Sequence, residues 1–166
     1  MSNFSIGDSL PQTSLAILDV AGPVAHLTMR RDDVFNALNP QLISDIIQLL
    51  EWTKDRSVAE QGSLSDGSGE PFLRVLVLAG AGRHFCAGAD IDWMRASGAQ
   101  SAEENRADAA RLDRLFNSLH SHPCFTIGNV QGVALGGGAG LVACCDHVIV
   151  ESDARIALSE GKLGIL

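Results

Sequence analysis

GVALGGGAGLVACCD, Gly132 to Asp146, sets three consecutive glycines, Gly136, Gly137 and Gly138, ahead of a run of small apolar residues. Glycine loses more backbone freedom on folding than any other residue. The triplet therefore needs a purpose that only bare backbone serves. The stretch lies between two apolar runs, CFTIGNV (Cys124–Val130) and HVIVES (His147–Ser152). Strand, glycine loop, short helix and strand in that order predict a parallel βαβ unit with its ligand crevice at the carboxyl ends of the strands. Amides at the start of the helix predicted near Gly138 lack intrahelical acceptors and point along the positive end of its dipole.

A second loop repeats the design. RHFCAGADIDWM (Arg83–Met94) follows FLRVLVLAG (Phe72–Gly80), a predicted buried strand, and holds Gly88 between two alanines. Two small-residue loops at the ends of neighbouring strands can aim one amide each at a shared point. Such a pair is an oxyanion hole, worth about 3–4 kcal/mol of transition-state stabilisation per donor. The residues do not spell GxxxxGK[ST], GxGxxG or GxSxG, which excludes a P-loop, a dinucleotide fingerprint and a hydrolase elbow. On the residues alone, glycines that merely permit close helix–strand packing remain the alternative.

Around these loops the chain alternates strands and helices. LAILDV (Leu15–Val20) and VAHLTM (Val24–Met29), separated by Ala-Gly-Pro, predict a hairpin. Asn39 before Pro40 starts a helix over residues 40–55 that carries Ile43, Ile46, Ile47 and Leu50 on one face. Residues 57–71, rich in Gly, Ser and acids, predict an exposed, flexible loop. Ser101 with Glu104 forms a capping box for a helix whose stripe is Leu112, Leu115, Phe116 and Leu119. One α/β domain over residues 1–166 follows.

Composition excludes several roles. The 166 residues are 46% hydrophobic and carry a formal net charge of −8, so no basic field draws nucleic acid or an anionic membrane. The opening residues are not a signal peptide, and no apolar run approaches about 18 residues, which predicts a soluble cytoplasmic protein without membrane contact. Cys86, Cys124, Cys144 and Cys145 form no CxxC pair and read as reduced, buried thiols. His120 and His122 lack the partners of a zinc site, so no metal is assigned. Asp146 reads as structural, and Trp93 and Met94 as pocket or core residues.

FCAGADI and GVALGGGAGLVACCD, with NALN (Asn36–Asn39) and LSEGKLGI (Leu158–Ile165), resemble the crotonase superfamily of enoyl-CoA hydratases and isomerases over nearly the whole chain. The resemblance implies a ββα spiral core and an oxyanion hole for a thioester carbonyl built from the amides of Ala89 and Gly137, supported by Gly88, Gly136 and Gly138. It implies Glu160 as the catalytic acid or base, though the same residue on its own reads as a surface glutamate. An apolar cleft raises the pKa of such a carboxyl toward the working range. Similar hydratases carry a first glutamate where this chain has Gly140.

The pattern is most similar to bacterial hydratases of the 3-methylglutaconyl-CoA and isohexenylglutaconyl-CoA type. Isomerisation by the single acid Glu160, or a non-catalytic acyl-CoA-binding module, are the alternatives. The resemblance further implies coenzyme A contacts at Arg30, Arg31, Ala87 and Asp90, with Arg83 beside the first loop as a further cation and Lys162 as a weaker candidate; solvated surface arginines are the competing reading. Coenzyme A arrives as part of the substrate, and no separate cofactor is expected. A homotrimer or dimer of trimers is implied. Similar proteins continue past KLGIL with helices that finish the acyl pocket, a region expected to be absent from this chain.

Overall fold

The computed structural model describes residues 10–158. Glu160 and Lys162 lie outside the described residues. The strands are β1 (Ala16–Ala21), β2 (Val24–Met29), β3 (Val75–Gly80), β4 (Phe125–Val130), β5 (Val133–Leu135), β6 (His147–Val150) and β7 (Arg155–Ala157). The helices are α1 (Pro40–Asp55), α2 (Val58–Gln61), α3 (Ile91–Ser97), α4 (Ala102–His120) and α5 (Gly137–Ala143). β1 and β2 form the antiparallel hairpin, in register from Ala16↔Met29 to Ala21↔Val24. From β2 onward the main sheet is parallel, in the order β1-β2-β3-β4-β6. Parallel neighbours require crossovers, and α1, α4 and α5 lie in those crossovers.

Local chemistry explains the helices. Asn39 accepts the Leu42 N–H at 2.8 Å as the cap of α1, and Pro40 occupies the first turn. Leu42, Ile43, Ile46, Ile47, Leu49 and Leu50 are buried from α1, each contributing about 1.5–3 kcal/mol over an exposed position. Asp45, also buried, accepts the N–H groups of Ser14 at 2.9 Å and Leu15 at 2.6 Å and ties the start of the hairpin to α1. At α4 the capping box forms: Glu104 N–H donates to the Ser101 hydroxyl at 3.2 Å, and the Glu104 carboxylate accepts the Ser101 N–H at 2.8 Å. Leu115 and Leu119 are buried, with Leu112 and Phe116 packed beside them.

Residues 57–71 differ from the loop expected there. Ser57 is buried, caps the single-turn helix α2 and bridges Leu73. This pairing also draws Phe72 and Leu73 out of the predicted strand, so β3 begins only at Val75. The remainder folds around Asp66, whose carboxylate accepts from Ser68 N at 2.8 Å and Glu70 N at 3.0 Å.

A second, smaller ladder lies outside the main sheet. Leu38 bridges Ala89, Cys86 bridges Ala134, and β5 pairs with β7, all in parallel. Three successive turns of the chain each add a main-sheet strand, a short outer segment and a helix, and β6 and β7 begin a fourth, in keeping with the ββα spiral that the resemblance implies. Among the described residues no helix is long and apolar enough to cross a membrane. All four cysteines are free, and burial pushes the Cys86 and Cys124 thiols up to about 11.

Candidate active site

The outer ladder positions both loops. Leu38 N–H donates to Gly88 O at 2.7 Å, and Asp90 N–H donates to Leu38 O at 2.9 Å. Because alternate residues of an extended segment turn their peptide groups to opposite edges, Ala89 directs its own N–H away from Leu38. That amide finds no acceptor among the described residues. Cys86 N–H donates to Val133 O at 3.0 Å, and Leu135 N–H returns a bond to Cys86 O at 3.0 Å, which fastens the first loop to the glycine segment.

Gly136 sits at φ 51°, ψ −117°, a conformation closed to other residues, and its N–H donates to Ala157 O at 2.9 Å. The turn starts α5 at Gly137, whose N–H belongs to the unsatisfied first turn of a helix. It too has no acceptor among the described residues. Close approach accounts for the neighbouring glycines. A Cβ on Gly88 would stand 2.8 Å from Leu135 O, and one on Gly138 would stand 2.3 Å from Cys86 O.

Ala89 and Gly137 open onto one cavity of about 280 Å³. Its walls are Leu38, Trp93, Leu112 and Leu158, and Phe116 and Gly140 face it together. An anion that develops near the two amides meets donors beside a largely apolar lining, where a hydrogen bond to charge is stronger than in water. β7 runs parallel to β5 and delivers the chain to the cavity at Leu158. Glu160, the carboxyl expected to serve this site, lies outside the described residues.

The candidate coenzyme contacts separate. Arg31 and Asp90 meet each other: Arg31 Nη1 lies 2.6 Å from Asp90 Oδ2 and donates to Ala37 O at 2.8 Å. Asp90 also caps α3 by accepting the Asp92 and Trp93 N–H groups, each at 2.9 Å. The Trp93 N–H, with the Arg31 guanidinium beside it, holds the Asp90 carboxyl below its ordinary value. The pair therefore braces the residue next to Ala89. Ala87 spends its N–H on Phe35 O at 2.9 Å, while Arg30 is exposed. Arg83 lines a different, polar cavity with His84, Glu151, Asp153 and Arg155.

Asn36 is a structural support of the first loop that the motif NALN contained but residue-by-residue reading passed over. Fully buried at φ 54°, it donates to Ala81 O at 2.9 Å and His84 O at 2.8 Å and accepts the Arg31 N–H at 2.9 Å. Its readable signal is an asparagine, the residue type that best tolerates the left-handed region, just before a capped helix. Asp146 is structural as expected, accepting the Thr126 N–H at 2.7 Å and its hydroxyl at 2.8 Å.

The sequence matches the enoyl-CoA hydratase/isomerase family over residues 19–166. The crystal structure of an enoyl-CoA hydratase from Shewanella pealeana aligns with a TM-score of 0.81 at 37% identity, covering 93% of this chain and 53% of that one. A crotonyl-CoA hydratase of Syntrophomonas wolfei is 31% identical over 150 residues, 90% of this chain and 51% of its own length. An enoyl-CoA isomerase/hydratase of Mycosarcoma maydis is 31% identical over 144 residues, 86% of this chain and 49% of its own. The chain spans about half the length of the curated relatives it matches.

Proposed function

Because the chain belongs to the enoyl-CoA hydratase/isomerase family, we propose that it binds an acyl-CoA thioester with the carbonyl oxygen between Ala89 N and Gly137 N and hydrates a branched 2-enoyl group. The observation that carries this reading is the pair of amides, from separate loops and without an acceptor among the described residues, on one apolar cavity. The substrate class is an enoyl thioester of the 3-methylglutaconyl or isohexenylglutaconyl kind.

In the proposed reaction, water oxygen bonds to C3 while the C2=C3 electron pair shifts toward the thioester oxygen. The two amides stabilise the resulting enolate. Glu160 takes the proton released by the water and returns it to C2, so that the net change is addition of one water. With Gly140 in place of a first acid, one carboxyl serves both steps in turn. Arg30 and the Ala87 segment are the proposed neighbours of the coenzyme, with Arg31 and Asp90 as the brace behind them.

Gly140 also favours a second reading. A single base suffices to remove a proton from C2 of a 3-enoyl thioester and return it to C4, which is isomerisation. The experiment is loss of the conjugated-thioester ultraviolet absorbance on adding 3-methylglutaconyl-CoA to the intact protein, followed by mass analysis, repeated with Glu160→Gln. Hydration adds the mass of water and fails in the variant. Product of unchanged mass from a 3-enoyl thioester establishes isomerisation, and binding without turnover establishes a non-catalytic acyl-CoA module.

A further inference from the structure

Phe116 stands in the last third of α4, one turn after Leu112, and both side chains reach the cavity that the two amides share. Its ring lies directly against Gly140. A Cβ placed on Gly140 would be 2.9 Å from both Cε1 and Cζ of that ring, closer than real carbon neighbours pack. A side chain at position 140 therefore requires the Phe116 ring to shift. Trp93 reaches the same cavity from α3, and its indole N–H is held by Asp108 Oδ2 at 3.0 Å, a carboxylate itself engaged by Arg111 at 3.0 Å. An indole held by its N–H and a phenyl ring thus line the one cavity beside Ala89 and Gly137.

We propose that Phe116 is a specificity-determining residue: its ring, seated on Gly140, forms a wall of the cavity beside Ala89 and Gly137, limits which acyl groups fit against that wall, and opposes a larger side chain at position 140. This rests on the proposed acyl-CoA reading for its substrate and adds the group that limits the acyl chain. It also gives a packing reason for the missing first acid. A glutamate at 140 and a phenylalanine at 116 compete for the same volume, so the two positions are coupled.

Two measurements on the intact protein test it. The first is a double-mutant cycle in thermal stability with Gly140→Ala, Phe116→Leu and the pair. Gly140→Ala alone lowers Tm by several degrees, and Phe116→Leu relieves that loss, so the effects are non-additive; additive losses overturn the coupling. The second compares kcat/KM for crotonyl-CoA and cinnamoyl-CoA. Phe116→Ala shifts the ratio toward the aryl substrate by about 10-fold or more, as expected when a wall of an apolar pocket is removed. An unchanged ratio in an active, folded variant overturns the specificity role. If neither thioester binds the unsubstituted protein, the acyl-CoA reading fails instead, while the stability cycle still decides the packing claim.

Discussion

Two glycine-bearing regions of this chain look alike as text and differ as structure. Around Gly62, Gly67 and Gly69 an added Cβ would meet nothing within 4 Å. At Gly88 and Gly138 it would meet Leu135 O at 2.8 Å and Cys86 O at 2.3 Å, both main-chain atoms that no rotamer change can move. In the first region glycine serves a surface turn. In the second it allows two loops to lie close enough for Ala89 and Gly137 to line one cavity. Glycine content alone separates nothing; what surrounds the missing side chain does.

Substitutions sharpen the contrast, and the largest effect belongs to the inner loops. Gly138→Ala forces Cβ onto Cys86 O and is expected to destabilise by about 3 kcal/mol, the upper part of the overpacking range, measured by urea unfolding. An intermediate effect belongs to the brace beside Ala89. Arg31 and Asp90 have side-chain exposures of 19% and 12%, and Asp90→Asn is expected to destabilise by about 1–3 kcal/mol near neutral pH.

The sign of the pH dependence follows from the direction of the shift. Asp90 is held below its ordinary value in the folded state, chiefly by the Trp93 N–H and then by Arg31. Its contribution is therefore fully present above the unfolded carboxyl value of about 3.9 and is lost as pH falls through the lower folded value. Urea midpoints recorded across acid pH should fall less steeply for Asp90→Asn than for the unsubstituted chain. The smallest effect lies in the outer loop. Gly67→Ala meets no neighbour and should change stability by no more than about 0.5 kcal/mol; a loss comparable to that of Gly138→Ala would erase the distinction between the regions.

What was legible in the sequence was local. Asn39 and Pro40 announced α1, Ser101 and Glu104 announced α4, and the two small-residue loops were found with Ala89 and Gly137 among their residues. What escaped reading depends on partners far along the chain. β5 and β7 are three residues each and too short to show a period; they exist because Gly132 O and Ala157 O accept across the ladder. α3 is only seven residues long and is set by Asp90 at its cap, a residue that the resemblance placed at the coenzyme instead. Arg31 likewise read as a free cation until Asp90, 59 positions later by number, turned out to be its partner. The contact between Phe116 and Gly140 joins a helix stripe to a glycine run, and neither pattern names the other.

The central claim is that Ala89 N and Gly137 N together polarise one thioester carbonyl. Infrared spectroscopy of a bound, unreactive acyl-CoA labelled with carbon-13 at the thioester carbonyl reads this directly. The carbonyl stretch should move to lower frequency on binding and move back part of the way in Ala89→Pro, which removes one N–H. A bound thioester whose stretch stays at its solution frequency, or is unaltered by Ala89→Pro, would contradict the account.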